Sequence, residues 1–101
     1  IHVNDLAEAH VLGLDYLAAG GEPRAFNLGT GQGHSVKEVL DTVERVTGHA
    51  LTRNFCPRRP GDPPVLVADA TQARAQLHWT PTRSLDDMVA TAWAWAQHAR
   101  E

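Results

Sequence analysis

Four prolines and one glycine fall within nine residues, CPRRPGDPP at 56–64, and this stretch restricts the fold more than any other. Proline fixes φ and lacks a backbone N–H, so the stretch can be neither a helix nor a central strand. We therefore predict a stiff loop that separates two more regular parts of the chain. The same loop carries two adjacent arginines and an aspartate: Arg58, Arg59 and Asp62.

Composition narrows the class of protein. The chain has 101 residues, 43% of them hydrophobic, and a net charge of −3. These values predict one packed domain, and the absence of a basic excess argues against nucleic-acid or membrane-surface binding. The single cysteine excludes a disulfide framework and favours a reducing, cytoplasmic setting. The opening IHVND is typical of the interior of a strand, so we expect the chain to be the end of a longer protein.

The first half of the chain is predicted to be helix, strand, helix. Asp5 and Glu8 form a capping-box pattern before an apolar helix that glycines 20 and 21 terminate. RAFNL at 24–28 is a strand candidate. A second capping box, Ser35 with Glu38, opens a helix that Gly48 ends, and its apolar stripe has helical spacing: Val36, Val39, Leu40, Val43 and Val46.

The second half adds shorter elements. Strands are predicted at 50–55 and 65–69, and then Asp69 or Thr71 caps a short helix that runs through Leu77. Ser84 and Asp87 open the last helix, whose predicted buried face comprises Leu85, Met88, Val89, Ala92, Trp93 and Ala96. The predicted fold class is α/β, with about four helices and three or four short strands.

A glycine-rich loop between the first strand and the second helix invites comparison with a dinucleotide-binding fingerprint. Its glycines, Gly29, Gly31 and Gly33, are spaced G-x-G-x-G, whereas the fingerprint needs G-x-G-x-x-G and an acidic residue after the next strand. His34 stands where the third glycine belongs, and the next predicted strand ends at Phe55. We interpret the loop as a turn before a capped helix, with an anion site at the helix N-terminus as the alternative.

The arginine-containing loop is the stronger candidate site. A guanidinium can grip two phosphate oxygens, and a nearby carboxylate can accept hydrogen bonds from sugar hydroxyls. Arg58, Arg59 and Asp62 therefore suit a nucleoside diphosphate, and the alternative is a solvated surface ion pair. The six histidines are scattered without metal-ligand spacing, so no metal site is predicted.

The order of motifs resembles a known family. IHVNDLAEAH, FNLGTGQGHSVKEVLDTVERVTG, PRRPGD and LVADATQARAQLHWTPTRSLDDMV together closely resemble the C-terminal part of UDP-glucose 4-epimerases, which are extended short-chain dehydrogenase/reductase enzymes. The resemblance implies that residues 1–101 are the nucleotide-sugar-binding portion. It also implies that an N-terminal NAD-binding Rossmann domain lies outside this chain.

In that family NAD takes a hydride from C4 of the hexose and returns it to the other face after the keto sugar rotates. The resemblance implies UDP-glucose and UDP-galactose as ligands, with Arg59 on the diphosphate, Asp62 on the uridine ribose and Arg58 in the same motif. Leu66 falls at the position beside the sugar's C2 substituent, where a large residue tends to exclude N-acetyl sugars. The parent is expected to be a homodimer.

The catalytic Y-x-x-x-K of the family has no counterpart here, because Tyr16 is followed by LAAG. We therefore expect no catalytic residue, no bound NAD and no epimerase activity in the isolated chain. Two alternatives stay open. One is another extended nucleotide-sugar epimerase or dehydratase, and the other is a non-catalytic, self-associating module.

Overall fold

The computed structural model describes residues 1–99, which form three α-helices and one short helical turn. Helix α1 spans Val3–Ala18, α2 spans Val36–Thr47 and α3 spans Leu85–His98. The short turn, Ala73–Leu77, has π-helical geometry and is called the π-turn here. Helix α1 packs against the π-turn, and α2 packs against α3.

The predicted α/β class is wrong, because residues 1–99 contain no strand. The segments 24–28, 50–55 and 65–69 have apolar or alternating patterns, yet none of them pairs with another strand within the described part of the chain. A strand is defined by the backbone ladder to its neighbour, and a side-chain pattern cannot supply that neighbour. Phe26 and Leu28 of the first segment instead lie against the core.

Helix α1 begins one turn earlier than predicted, and the proposed capping box of Asp5 and Glu8 is wrong. His2 is the N-cap, with Nδ1 accepting the backbone N–H of Asn4 at 3.0 Å. That bond leaves Nε2 to donate to Thr91 Oγ1, 2.8 Å away on α3. The imidazole ring therefore caps one helix and joins it to another.

The predicted N-caps of α2 and α3 are confirmed. Ser35 Oγ accepts the Glu38 N–H at 3.0 Å, and Gly48 ends α2 in the left-handed conformation. At α3 both bonds of the capping box form, since Ser84 Oγ accepts from Asp87 N–H and the Asp87 carboxylate accepts from Ser84 N–H. Such caps satisfy N–H groups that have no partner inside the helix.

The hydrophobic core is small and lies between α1 and the π-turn. Trp79 is almost fully buried, and its indole N–H donates to the Asp5 carbonyl oxygen at 2.9 Å. The buried apolar residues are Ala9, Ala70, Ala73, Leu77 and Trp79. The predicted buried face of α3 is only half-buried at best, with Ala92 and Ala96 exposed, so this helix presents much of its apolar surface to solvent.

Asp5 and Arg83 connect the two ends of the chain. The Asp5 side chain is fully buried and lies 2.6 Å from Arg83 Nη1, and it also accepts the backbone N–H groups of Thr82 and Arg83. Burial raises the pKa of the Asp5 carboxyl, but the hydrogen bonds from Arg83 and Thr82 outweigh burial and hold that pKa below its ordinary value. The carboxylate is therefore the form that the fold stabilises.

The molecule is flat and open for its mass. It measures 51 × 40 × 19 Å and has a Cα radius of gyration of 16.9 Å, against about 13 Å for a compact domain of this length. Its accessible surface is 7811 Å², whereas a compact 11.0 kDa monomer exposes about 5,600 Å². No helix within residues 1–99 combines the length and apolarity needed to cross a membrane.

Candidate functional site

The proline-rich loop forms an exposed arm, residues 54–66, and its tip is a tight turn. Arg59, Pro60, Gly61 and Asp62 form this turn, which the Asp62 N–H closes by donating to the Arg59 carbonyl oxygen at 3.3 Å. Gly61 has φ +86°, the left-handed value that the third residue of a type II turn requires. Proline before glycine therefore brings the two charged residues to neighbouring positions.

Arg59 and Asp62, predicted as a pair, are in contact. Nε of the guanidinium donates to Asp62 Oδ2 at 2.9 Å, while the arginine side chain remains 84% exposed. The carboxylate engages Nε, so the outer edge of the guanidinium, with both terminal nitrogens, faces solvent. Because the Nη1/Nη2 edge can itself hold two oxygens of a phosphate, the pairing orients the arginine and leaves one bidentate edge exposed.

Arg58 and Leu66 lie on the same arm but are not tied to the pair. Arg58 is exposed beside Arg59, and Leu66 is 86% exposed on the returning limb. Within residues 1–99 no hydrogen bond or salt bridge connects either side chain to Arg59 or Asp62. The structure thus brings together two of the four predicted site residues.

The outgoing root of the arm is fastened to α2. Arg53 Nη2 lies 2.8 Å from Asp41 Oδ1 and 3.0 Å from Glu44 Oε1, and the Leu51 N–H donates to the same Glu44 oxygen at 3.2 Å. The carboxylates raise the pKa of Arg53 chiefly through the hydrogen bond to Asp41. Sequence reasoning missed Arg53, because nothing in a single sequence pairs it with acids nine and twelve residues earlier.

The returning root of the arm packs on the glycine-rich loop. A Cβ at Gly29 would lie 2.8 Å from Ala68 Cβ, and one at Gly33 would lie 2.9 Å from Val67 Cγ2. Both distances are too short for real side chains, so Gly29 leaves room for Ala68 and Gly33 leaves room for the Val67 side chain. The loop is therefore a packing surface for the arm, which explains a spacing that does not fit the cofactor fingerprint.

The N-terminus of α2 already holds a carboxylate of its own. Glu38 lies 3.3 Å from His34 Nδ1 and 3.4 Å from Ser35 Oγ. The hydrogen bond from His34 and then the Ser35 N–H lower the pKa of the Glu38 carboxyl. An exogenous anion at this helix N-terminus would have to compete with the Glu38 carboxylate.

Two further features lie along α1. The hydroxyl of Tyr16 donates to the Glu22 carbonyl oxygen at 2.8 Å, which secures the chain after α1. An apolar cleft of about 440 Å³ lies along α1 beside Phe26 and Leu28. No group of three or more potential metal-ligating side chains occurs among residues 1–99.

Comparison with known proteins decides the family. Residues 1–92 match the profile of the family described as GDP-mannose 4,6 dehydratase. The chain belongs to the GDP-mannose 4,6 dehydratase family. Several proteins of similar sequence are UDP-glucose 4-epimerases, and they confirm the resemblance that the motifs indicated. The UDP-glucose 4-epimerase of Azospirillum brasilense is 50% identical over 94% of this chain, and that of Rhizobium meliloti strain 1021 is 47% identical over 99%.

Solved structures of UDP-glucose 4-epimerases are also similar to this chain. A UDP-glucose 4-epimerase from Stenotrophomonas maltophila, crystallised with NAD and formylated UDP-arabinopyranose, superposes with a TM-score of 0.93 at 42% identity over 99% of the chain. The enzyme from Bifidobacterium longum, in complex with NAD+ and UDP, gives 0.85 at 38% identity over 99%. The chain spans only about 30% of the length of these proteins.

Proposed function

We propose that this chain is the C-terminal, nucleotide-sugar-binding portion of a UDP-glucose 4-epimerase. The observation that carries the proposal is the turn that pairs Arg59 with Asp62, in a chain up to 50% identical to such epimerases. The complete enzyme would interconvert UDP-glucose and UDP-galactose, with residues 1–101 as the sugar-side portion beside an NAD-binding Rossmann domain. A UDP complex and a UDP-sugar complex of the structural relatives support this ligand class.

The chemistry of the arm divides between the two paired side chains. The exposed edge of Arg59 would bind the diphosphate bidentately, and the oxygen of Asp62 that does not face Arg59 Nε would accept a ribose hydroxyl. The Asp62 carboxylate would thus both orient the Arg59 guanidinium and bind the neighbouring ribose. Arg58 adds positive charge beside the diphosphate, which raises the local concentration of the anion.

NAD, when bound to the complete enzyme, would supply the hydride chemistry at C4. We assign no residue of this chain to NAD binding or to proton transfer, so the isolated chain should show no epimerase turnover. Leu66 would lie beside the C2 substituent of the hexose and favour a plain hydroxyl there. We further propose that the complete enzyme is a homodimer that serves galactose metabolism in the cytoplasm.

A second candidate function follows from the exposed apolar surface, which favours a self-associating binding module. Leu14 and Leu17 of α1 are 69% and 51% exposed, and they lie beside the apolar cleft. Large exposed apolar patches mark interaction surfaces. On this reading the chain would associate with copies of itself and show no preference for UDP.

Calorimetric titration with UDP and UDP-glucose separates the two candidates. We expect Arg59→Ala to weaken UDP binding by about tenfold, since a charge-assisted bidentate contact is lost. Arg45→Ala is the matched control, because Arg45 pairs with Asp86 between α2 and α3 and lies outside the arm. Equal UDP affinity of Arg59→Ala and the unaltered chain would contradict the assignment of Arg59.

A further inference from the structure

The outgoing limb of the arm is held by three contacts that converge on one face of α2. Asp41 and Glu44 are three residues apart, so their carboxylates project from the same side of the helix. Arg53 lies between them with its side chain only 18% exposed. Glu44 also accepts the Leu51 N–H, so two alternate residues of the extended limb are fixed to a single carboxylate.

Between Arg53 and the contacts of Val67 and Ala68 with the glycine loop, the chain has little else to order it. Every residue from 54 to 66 is exposed, and the turn at Arg59 and Asp62 is an internal contact of the arm itself. An exposed loop loses conformational freedom when it binds a ligand, and that loss reduces affinity. Order imposed at the root therefore matters for binding at the tip.

The segment between Arg53 and the turn is stiff enough for the position of one end to restrict the position of the other. Five residues lie between Arg53 and Arg59; Pro57 is one of them, and Pro60 directly follows Arg59. Proline restricts φ and reduces the number of conformations that a short segment can adopt. A fixed residue at one end of such a segment limits the directions that the other end can take.

We propose that Arg53, clamped by Asp41 and Glu44, is a positioning residue that aims Arg59 and Asp62 at a nucleoside diphosphate. This inference rests on the proposed function, since it gives the arm the same ligand. Arg53 contacts no ligand itself and acts through the direction of the limb. Its loss should loosen the arm and weaken diphosphate binding while leaving the helices in place.

A spin label on Cys56 tests the ordering directly and needs no ligand. Cys56 is the single cysteine of the chain, is exposed, and lies between Arg53 and the turn. We expect the electron paramagnetic resonance spectrum of Arg53→Gln to narrow relative to the unaltered chain, while Arg45→Gln leaves the spectrum unchanged. An unchanged spectrum in Arg53→Gln, or equal narrowing in both variants, would overturn the inference.

Titration of the unlabelled chains with UDP tests the consequence for binding. We expect Arg53→Gln to weaken UDP binding by about threefold to fivefold, Arg53→Lys to recover most of that loss, and circular dichroism to stay the same. In an Arg59→Ala background Arg53→Gln should cause no further loss, because its effect passes through Arg59. A full additional loss in that background would overturn the positioning role.

The two experiments together distinguish failure of the proposed function from failure of the role of Arg53. If the unaltered chain binds no UDP, the assignment of the arm as a UDP site in this chain is refuted, and with it the role of Arg53 in binding. The label on Cys56 would still decide whether Arg53 orders the arm. A narrowed label spectrum together with unaltered UDP affinity would refute the inference while leaving the proposed function intact.

Discussion

Asp5 shows how a single residue can follow a local pattern and yet do something else. Its spacing to Glu8 is that of a capping box, but the N-cap is His2, and the Asp5 carboxylate is buried against Arg83 and Thr82. The partner lies 78 residues away, so no local pattern could indicate it. Charge burial of this kind is retained when hydrogen bonds satisfy both partners.

Replacing Asp5 with Asn should lower the free energy of unfolding by about 1–3 kcal/mol at pH 7, because a buried charged acceptor is lost. The folded-state pKa of Asp5 lies below the unfolded value, so its contribution is present above about pH 4 and is lost as pH falls through the folded pKa. Urea unfolding of both proteins at pH 7 and pH 3 measures this, and the difference should shrink at pH 3.

Glu8→Gln is the control for that experiment. Glu8 contacts the same Arg83 nitrogen at 3.1 Å but is half exposed, so its replacement should change stability by less than about 0.5 kcal/mol. Equal losses in the two variants would mean that burial of Asp5 adds nothing to its pairing with Arg83.

At the scale of the elements, the glycines of this chain have opposite roles. Gly29 admits Ala68 at a distance that no Cβ tolerates, whereas a Cβ at Gly13, within α1, would meet nothing within 4 Å. Glycine within a helix is unfavourable for entropic reasons, while glycine at a close backbone contact is a steric requirement. The same residue type thus weakens one element and permits the packing of another.

Gly29→Ala and Gly13→Ala should therefore change stability in opposite directions. We expect the first to destabilise by about 1–3 kcal/mol through overpacking against Ala68, and the second to stabilise by about 0.5–1 kcal/mol. Urea unfolding monitored by circular dichroism gives both values. Stabilisation by Gly29→Ala would show that the glycine loop and residue 68 are not in close contact.

The elements also show what the sequence could and could not predict. The starts of α2 and α3 were predicted correctly because Ser35 and Ser84 act on N–H groups three residues away. The strands were wrong because pairing depends on a distant neighbour. At the candidate site, the turn that pairs Arg59 with Asp62 follows from local Pro-Gly chemistry, while the Arg53 clamp joins segments whose contact only the fold creates.

At the scale of the whole molecule, the most prominent feature is an unusually large solvent-accessible surface. The chain exposes about 2,200 Å² more than a compact monomer of its mass would. Large apolar side chains contribute to this surface, among them Leu14 and Trp95, which are 69% and 67% exposed. Within residues 1–99 the core has five buried apolar residues, which leaves little margin of stability.

An exposed leucine and a buried leucine should respond differently to substitution. Leu14→Gln should alter the free energy of unfolding by less than about 0.5 kcal/mol, since the side chain already meets solvent, and should reduce binding of a hydrophobic dye. Leu77→Ala should destabilise by about 2–4 kcal/mol, because Leu77 is buried in the core. Urea titrations and dye fluorescence of the two variants measure these effects, and similar stability losses in both would contradict the described core.

Because the arm is attached to the rest of the chain at two separate places, its tip can be replaced without altering either attachment. Residues 57–64 lie between the Arg53 attachment on α2 and the contacts of Val67 and Ala68 with the glycine loop. Grafting a loop of equal length in place of residues 57–64 would leave both attachments untouched. Under the proposed function, the ligand preference of the arm can therefore change while the free energy of unfolding of the helices that carry it stays the same.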